Sequence, residues 1–356
     1  MIARYAGLIA VLGFVVASQT ARAEPVLAGG GVPPEGAVVA VGFEGLGFGP
    51  SPGEGGPVEV TEWVAWSRVI DPGDEWRERA TQFRGVWDPA WRARDRLLRG
   101  DTLGAEPLLE ELFEIYAGRA DPTAAEVAAG LARARLARGA RFSALEPWLS
   151  WVSAHEAGIS SDATRDTLDG EPTVLLAALP PFFGDEEGAA RAAERLRVVG
   201  WIDPERSRAA DSLRRLYVAA MGDEPAPDGL YTSDRGVRFL AQLLDAAYRD
   251  DALGGDARAA LASRLRRREI PEPWAEAWAR VAVGTGMVRS IDVGERLEGV
   301  THLLHLPARL SKAAPSLAPI ALRTAASALD ELGEKESAAT LWAEAERFDT
   351  QRRALP

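Results

Sequence analysis

Few residues in this chain are equipped for chemistry. His302 and His305 stand three apart, with Glu295 and Glu298 on the preceding helix turns, so one face could present two imidazoles and two carboxylates. A zinc site needs three or four converging ligands. The same residues more simply form the polar face of a helix that stops near Pro307, and we favour that helix face. His155 beside Glu156 lacks a serine or cysteine nucleophile in an elbow context, and neither Gly-x-Ser-x-Gly nor His-Glu-x-x-His occurs. Asp162, Asp166 and Asp169-Gly170 are only loosely calcium-loop-like, missing the one-three-five ligand spacing and the bidentate glutamate. Gly42, Gly45, Gly47 and Gly49 have the glycines of a phosphate loop, but no Lys-Ser/Thr follows them. No catalytic residue, cofactor or metal ligand is therefore assigned.

Composition excludes further classes. The 356 residues are 47% hydrophobic and 26% charged, enough apolar material to bury a sizeable core. A net charge of −12 argues against nucleic acid or an anionic membrane as the main partner, since both need a cationic face. Without cysteine there is no disulfide framework, thiol nucleophile or zinc-thiolate site. Tryptophan is the anomaly, because Trp63, Trp66, Trp76, Trp87 and Trp91 crowd one segment. Exposed rings there would stack on sugars or anchor a partner, whereas buried ones would cement a small β module onto the first helices. Trp63 and Trp66 cannot both face one side of a period-two strand, which favours the second role.

The elements that must position these residues follow from the chain's punctuation. Residues 1–23 read as an export signal peptide, with Arg4, an apolar stretch from Leu8 to Ala17 and the small-residue spacing Ala21-Arg22-Ala23. Eleven glycines and five prolines in 29–57 make 24–57 read as a linker with one possible strand, over 37–43. Residues 58–73 are rich in β-branched and aromatic side chains and are expected to form a small β element. Helical composition takes over near 74, with helices expected over 75–85, 89–99, 104–116, 123–138 and 143–157. After an irregular connector at 158–185, others are expected over 186–199, 204–221, 234–249, 256–268, 274–283, 293–304, 317–332 and 335–348. These define a helical block at 74–157, a second at 186–349 and a tail at 350–356.

Internal repetition bears most directly on fold. The segment 92–100 reads RARDRLLRG and 131–139 reads LARARLARG, identical at six of nine positions and 39 residues apart. Glu106-Pro107 recurs as Glu146-Pro147, and Ser143 with Glu146 has capping-box spacing. Counted from the turn glycine, small residues recur seven before and five after, with a large apolar residue nine after. Ala93, Gly100, Ala105 and Leu109 fit, as do Ala132, Gly139, Ala144 and Trp148, and Ala326, Gly333, Ala338 and Trp342. In this pattern the chain resembles the tetratricopeptide repeat family over three units. The resemblance implies a mainly α, irregular array of αα-hairpins following a small β ribbon, in which small residues let facing helices approach. A generic helical bundle is the alternative.

The signal segment implies an exported protein, periplasmic or extracellular, and the family resemblance implies a scaffold that binds a protein or peptide partner without catalysis. Arg94, Arg133 and Arg135 are candidates to meet an acidic or C-terminal carboxylate ligand. They would otherwise pair with glutamates on the outer face. A glycan-processing enzyme with two carboxylates across a tryptophan-lined cleft is the competing expectation, as is a carbohydrate-binding module at 58–91.

Overall fold

In the computed structural model the described residues are 24–28, 33–51, 58–159, 166–184, 186–199, 205, 207–230 and 233–354. The expected signal segment 1–23 lies outside them. Among the described residues the fold is mainly helical, 63% of them, with small antiparallel sheets. The first helices are α1 (Arg77–Thr81), α2 (Arg84–Leu98), α3 (Thr102–Tyr116), α4 (Pro122–Ala137) and α5 (Arg141–Glu156). They are followed by α6 (Glu186–Arg197), α7 (Arg208–Met221), α8 (Arg235–Tyr248) and α9 (Ala252–Arg267). Last come α10 (Pro273–Val288), α11 (Val293–His305), α12 (Ala318–Glu331) and α13 (Lys335–Ala354). Most helices pack on their sequence neighbours, and α2, α5, α8 and α10 also reach the next helix but one.

The repeated glycines close helices in one way. Gly100, Gly139 and Gly333 have φ of 78°, 78° and 86°. The residue after each donates its N–H back across the last turn, Asp101 to Arg96, Ala140 to Arg135 and Glu334 to Leu329, all at 2.9 Å. A left-handed residue at this place satisfies carbonyls the helix leaves open, and glycine adopts it without strain. The paired alanines Ala93 and Ala105, Ala132 and Ala144, and Ala326 and Ala338 are all buried. Leu109 and Trp148 are buried too, whereas Trp342 is 43% exposed because α13 packs chiefly on α12.

Several expected boundaries shift. Helix α2 runs through Pro89, and α9 is capped by Asp251 rather than starting at 256. Helix α10 continues through Gly284 and Gly286 to Val288. Ser143 lies inside α5, bonded to the Ala140 carbonyl, so it does not cap that helix.

The 24–57 stretch holds three strands rather than a linker with one. β1 (Val26–Leu27) pairs with β5 (Val69–Asp71), while β2 (Ala37–Gly42), β3 (Gly45–Gly49) and β4 (Glu62–Val64) form an antiparallel sheet in that order. Strand β3, GLGFG, is wholly buried. Leu46 and Phe48 enter a core shared with Val64, Trp66, Val69 and helices α2 to α4. The glycines between them serve close approach, since a Cβ on Gly49 would sit 2.1 Å from the Glu59 carbonyl oxygen. Thus only 62–64 and 69–71 of the 58–73 segment are strands, separated by a 3₁₀ turn that seats Trp66.

The 158–185 connector is irregular in backbone but central in packing. Val174, Leu175, Leu179 and Phe182 are buried in the main core, and the buried Tyr217 hydroxyl donates to the Leu179 carbonyl at 2.5 Å. A short hairpin of β6 (Thr167–Leu168) and β7 (Glu171–Pro172) turns at Asp169-Gly170, with φ of 54° and 78°. The boundary between the two cores therefore falls at α4 and not at the connector.

Candidate functional site

Helix α4 is built from small residues on nearly every side, as a helix enclosed by neighbours must be. Its Ala124, Val127, Leu131 and Ala134 enter the core beneath the β module, while Ala125, Ala128 and Ala132 enter the main core. What remains is a third stripe, Glu126, Ala129, Arg133 and Ala137, at helical spacing. This stripe forms the floor of two adjoining cavities that share Ala129 and Arg133.

The first cavity, about 170 Å³, lies between α2 and α4, with Arg94, Leu97, Leu109 and Gly130 on its walls. A Cβ on Gly130 would come within 3.1 to 3.4 Å of Leu97 and Leu109, so glycine keeps these helices close. Glu126 at its edge accepts from the Ser67 hydroxyl and pairs with Arg68 at 3.5 Å. The second cavity, about 380 Å³, lies between α4, Trp148 and Trp151 of α5, and Leu176 and Ala178 of the connector. Its walls are apolar except for Arg133. Trp148 is fully buried against Tyr217, and its Nε1 has no hydrogen-bond partner among the described residues.

The three expected arginines separate. Arg94 and Arg133 both line the first cavity. Arg133 is exposed and makes no ion pair or hydrogen bond among the described residues. Arg135 faces elsewhere. Its Nη2 meets Glu110 at 2.7 Å, its Nη1 donates to the Ser143 carbonyl at 2.7 Å, and its Nε lies 3.6 Å from Glu106. Glu106 also takes two 2.7 Å bonds from Arg138, and these chiefly hold its carboxyl below the ordinary range. Arg135 thus ties α3, α4 and the start of α5 together. The groove residues not foreseen, Ala129, Leu136 and Trp151 among them, carry no polar signature. Only the helical spacing of 126, 129, 133 and 137 could have revealed the stripe, and Leu176 and Ala178 arrive from an irregular segment with no period.

Two carboxylates with shifted titration, Asp71 and Asp121, are engaged in structural bonds. Asp71, beside Trp87 and Trp91 in a cavity of about 440 Å³, is held below its usual range by the Gly73 N–H and then by Arg77. A general acid needs the opposite shift. Asp121 is raised by burial, yet both its oxygens are engaged, by the Ala124 N–H as the cap of α4 and by Arg119. Trp66 is buried, stacks on Phe83 and donates to the Gly42 carbonyl at 2.9 Å, so it cements the β module.

His302 and His305 share α11, but among the described residues no group of three or more possible metal ligands converges. Glu295 instead accepts from the Ser290 hydroxyl. His302 is largely buried with Nδ1 unpartnered, and burial, then Arg280, pushes its pKa below 6.5, with His305 and Arg266 acting the same way against Glu298. His305, 3.7 Å from Glu276, is also lowered by burial. A base lowered on folding binds protons preferentially in the unfolded chain, so its stability contribution is full above about 6.5 and lost as pH falls below it. Denaturant midpoints should therefore decline from pH 7 to 5. His302→Leu should flatten that decline, and an unchanged slope would contradict the burial of the imidazole.

Comparison with known proteins finds no family model, curated protein or solved structure that matches this chain.

Proposed function

We propose that the chain is a helical-repeat scaffold of tetratricopeptide-like hairpins whose α2–α4–α5 groove binds an apolar segment of a protein partner through a carboxylate. The observation that carries this is Arg133, which stands without an ion pair among the described residues as the sole charged lining of an apolar cavity. A cation on such a wall fits an apolar side chain followed by a carboxylate, whose charge-assisted contact strengthens as water is excluded. Arg94, at the adjoining cavity, extends the same preference along the groove. The turns at Gly100, Gly139 and Gly333 support the repeat assignment. No helix among the described residues is long and apolar enough to cross a membrane.

Peptides ending in Leu, Ile or Phe, with free or amidated C-termini, test the proposal by titration against tryptophan fluorescence and by calorimetry. Preference for the free acid is expected, and equal affinity for both forms would refute it. Export completes the proposal: cleavage after Ala23 leaves Glu24 as the first residue, as N-terminal sequencing of exported material should show. Intact Met1 on exported protein would overturn it.

A second reading rests on the cavity of Trp87 and Trp91, where aromatic faces adjoin Asp71, Arg77 and Asp88 as they do in sugar sites. Retention on insoluble glycan, lost in Trp91→Ala, would favour it over the peptide groove.

A further inference from the structure

The cavity of Trp87 and Trp91 lies between strand β5 and helices α1 and α2, and its charged lining is Asp71, Arg77, Arg84 and Asp88. These do not pair off evenly. Arg77 bridges Asp71 and Asp74, at 2.7 Å to each. Asp88 has an arginine one helical turn away on either side, Arg84 and Arg92, and takes Arg92 at 2.9 Å. Arg84, at the first position of α2, is exposed and makes no ion pair or hydrogen bond among the described residues. The cavity thus presents one uncommitted cation.

The rest of the lining suits a sugar ring. Trp87 donates its Nε1 hydrogen to the Val69 carbonyl at 2.7 Å, which fixes its indole in place. Trp91 stands one turn further along α2, half-buried, and makes no hydrogen bond among the described residues. Indole rings offer apolar faces to the C–H face of a pyranose. The Thr81 hydroxyl gives its proton to the Arg77 carbonyl at 2.8 Å and, like the carboxylates of Asp71 and Asp88, keeps acceptor capacity for sugar hydroxyls. A neutral sugar would use all of these and leave Arg84 idle. A dianion would be repelled by Asp71 and Asp88, whereas a single negative charge is what one free guanidinium can match.

We propose that this cavity binds an acidic sugar, a hexuronate unit of a polysaccharide, with its ring on the tryptophans and its carboxylate on Arg84. The inference rests on the second reading above, that the cavity takes a sugar, and is independent of the α2–α4–α5 groove. The guanidinium fork matches the two coplanar oxygens of a carboxylate, and the ring contacts fix which face of the sugar is presented to it.

Calorimetry on the full chain with oligomers of galacturonate, glucuronate and mannuronate, each beside its carboxyl-reduced form, tests the proposal. At least one acidic oligomer should bind saturably. Its reduced form, identical in ring stereochemistry but neutral, should bind about tenfold more weakly, as loss of one charge-assisted contact requires. Arg84→Gln should bring the two forms to equal affinity without moving the unfolding midpoint, because the side chain is exposed and holds no partner within the protein. Trp91→Ala should weaken both forms alike. Equal affinity of the unaltered chain for acidic and reduced oligomers would overturn the acid assignment while leaving the sugar cavity standing, and binding of none of them would overturn both. A preference for the acid that survives in Arg84→Gln would also overturn the proposal, because the carboxylate would then meet another residue.

Discussion

Gly286→Ala should destabilise the protein by about 3 kcal/mol, although the same exchange in an exposed helix stabilises by roughly 1 kcal/mol. Gly286 is buried in α10, and a Cβ placed there would lie 2.0 Å from the Ala246 carbonyl oxygen of α8 and 2.7 Å from the Arg258 side chain. The nearer atom is backbone and cannot rotate away. It also accepts from Arg258 Nη1 at 3.3 Å, so separating the helices disturbs that bond as well. Gly255→Ala is the control: it lies in α9 with open space where its Cβ would be, and should stabilise by about 0.5 to 1 kcal/mol. Denaturant midpoints at unchanged slope measure both. Equal signs for the two substitutions would mean that α8 and α10 do not touch at Gly286.

Glycine is where the sequence misleads most, for a reason this experiment isolates. In the absence of tertiary information a glycine registers as a local penalty of about 1 kcal/mol, so 274–283 reads as a helix ending before Gly284, and 24–57 as linker. In the fold these glycines meet backbone. Gly284 faces the Gly299 carbonyl at 2.9 Å, and Gly49 faces the Glu59 carbonyl at 2.1 Å, measured from an ideal Cβ. Packing gains across several helices exceed the local penalty, and one sequence contains no record of which partner approaches. The turn glycines Gly100, Gly139 and Gly333 were legible because their partners are a few residues away along the same chain.

The arginines divide on similar terms. Arg133 and Arg135 are two positions apart, and at about 100° per residue their side chains leave α4 roughly 200° apart. They cannot serve one groove, and this much was available from spacing alone. Which one faces the groove was not, since that depends on Glu106 and Glu110 of α3 lying beside Arg135. The second cavity is still less legible: Leu176 and Ala178 come from the connector, whose buried leucines have neither helical nor strand period.

The groove gives the second large effect. Ala129 is half-buried on the shared floor of both cavities, so Ala129→Trp should fill the passage between them while leaving the cores on the other faces of α4 intact. Capture of a free-acid apolar peptide should be lost, with the unfolding midpoint nearly unchanged. Arg133→Gln should weaken the same peptide by about tenfold to a hundredfold, corresponding to roughly 1.5 to 3 kcal/mol for a shielded charge-assisted contact. Raised salt should weaken it too, in proportion to how much of the pair remains exposed. The decisive comparison crosses the two changes. If the carboxylate meets Arg133, amidating the peptide and replacing the arginine remove one interaction twice, and the double change should cost little more than either alone. Additive losses would place the carboxylate elsewhere, with Arg94 the next position to cross. Undiminished binding by Ala129→Trp would remove the groove from consideration altogether, because no apolar segment can occupy both cavities past an indole at their junction.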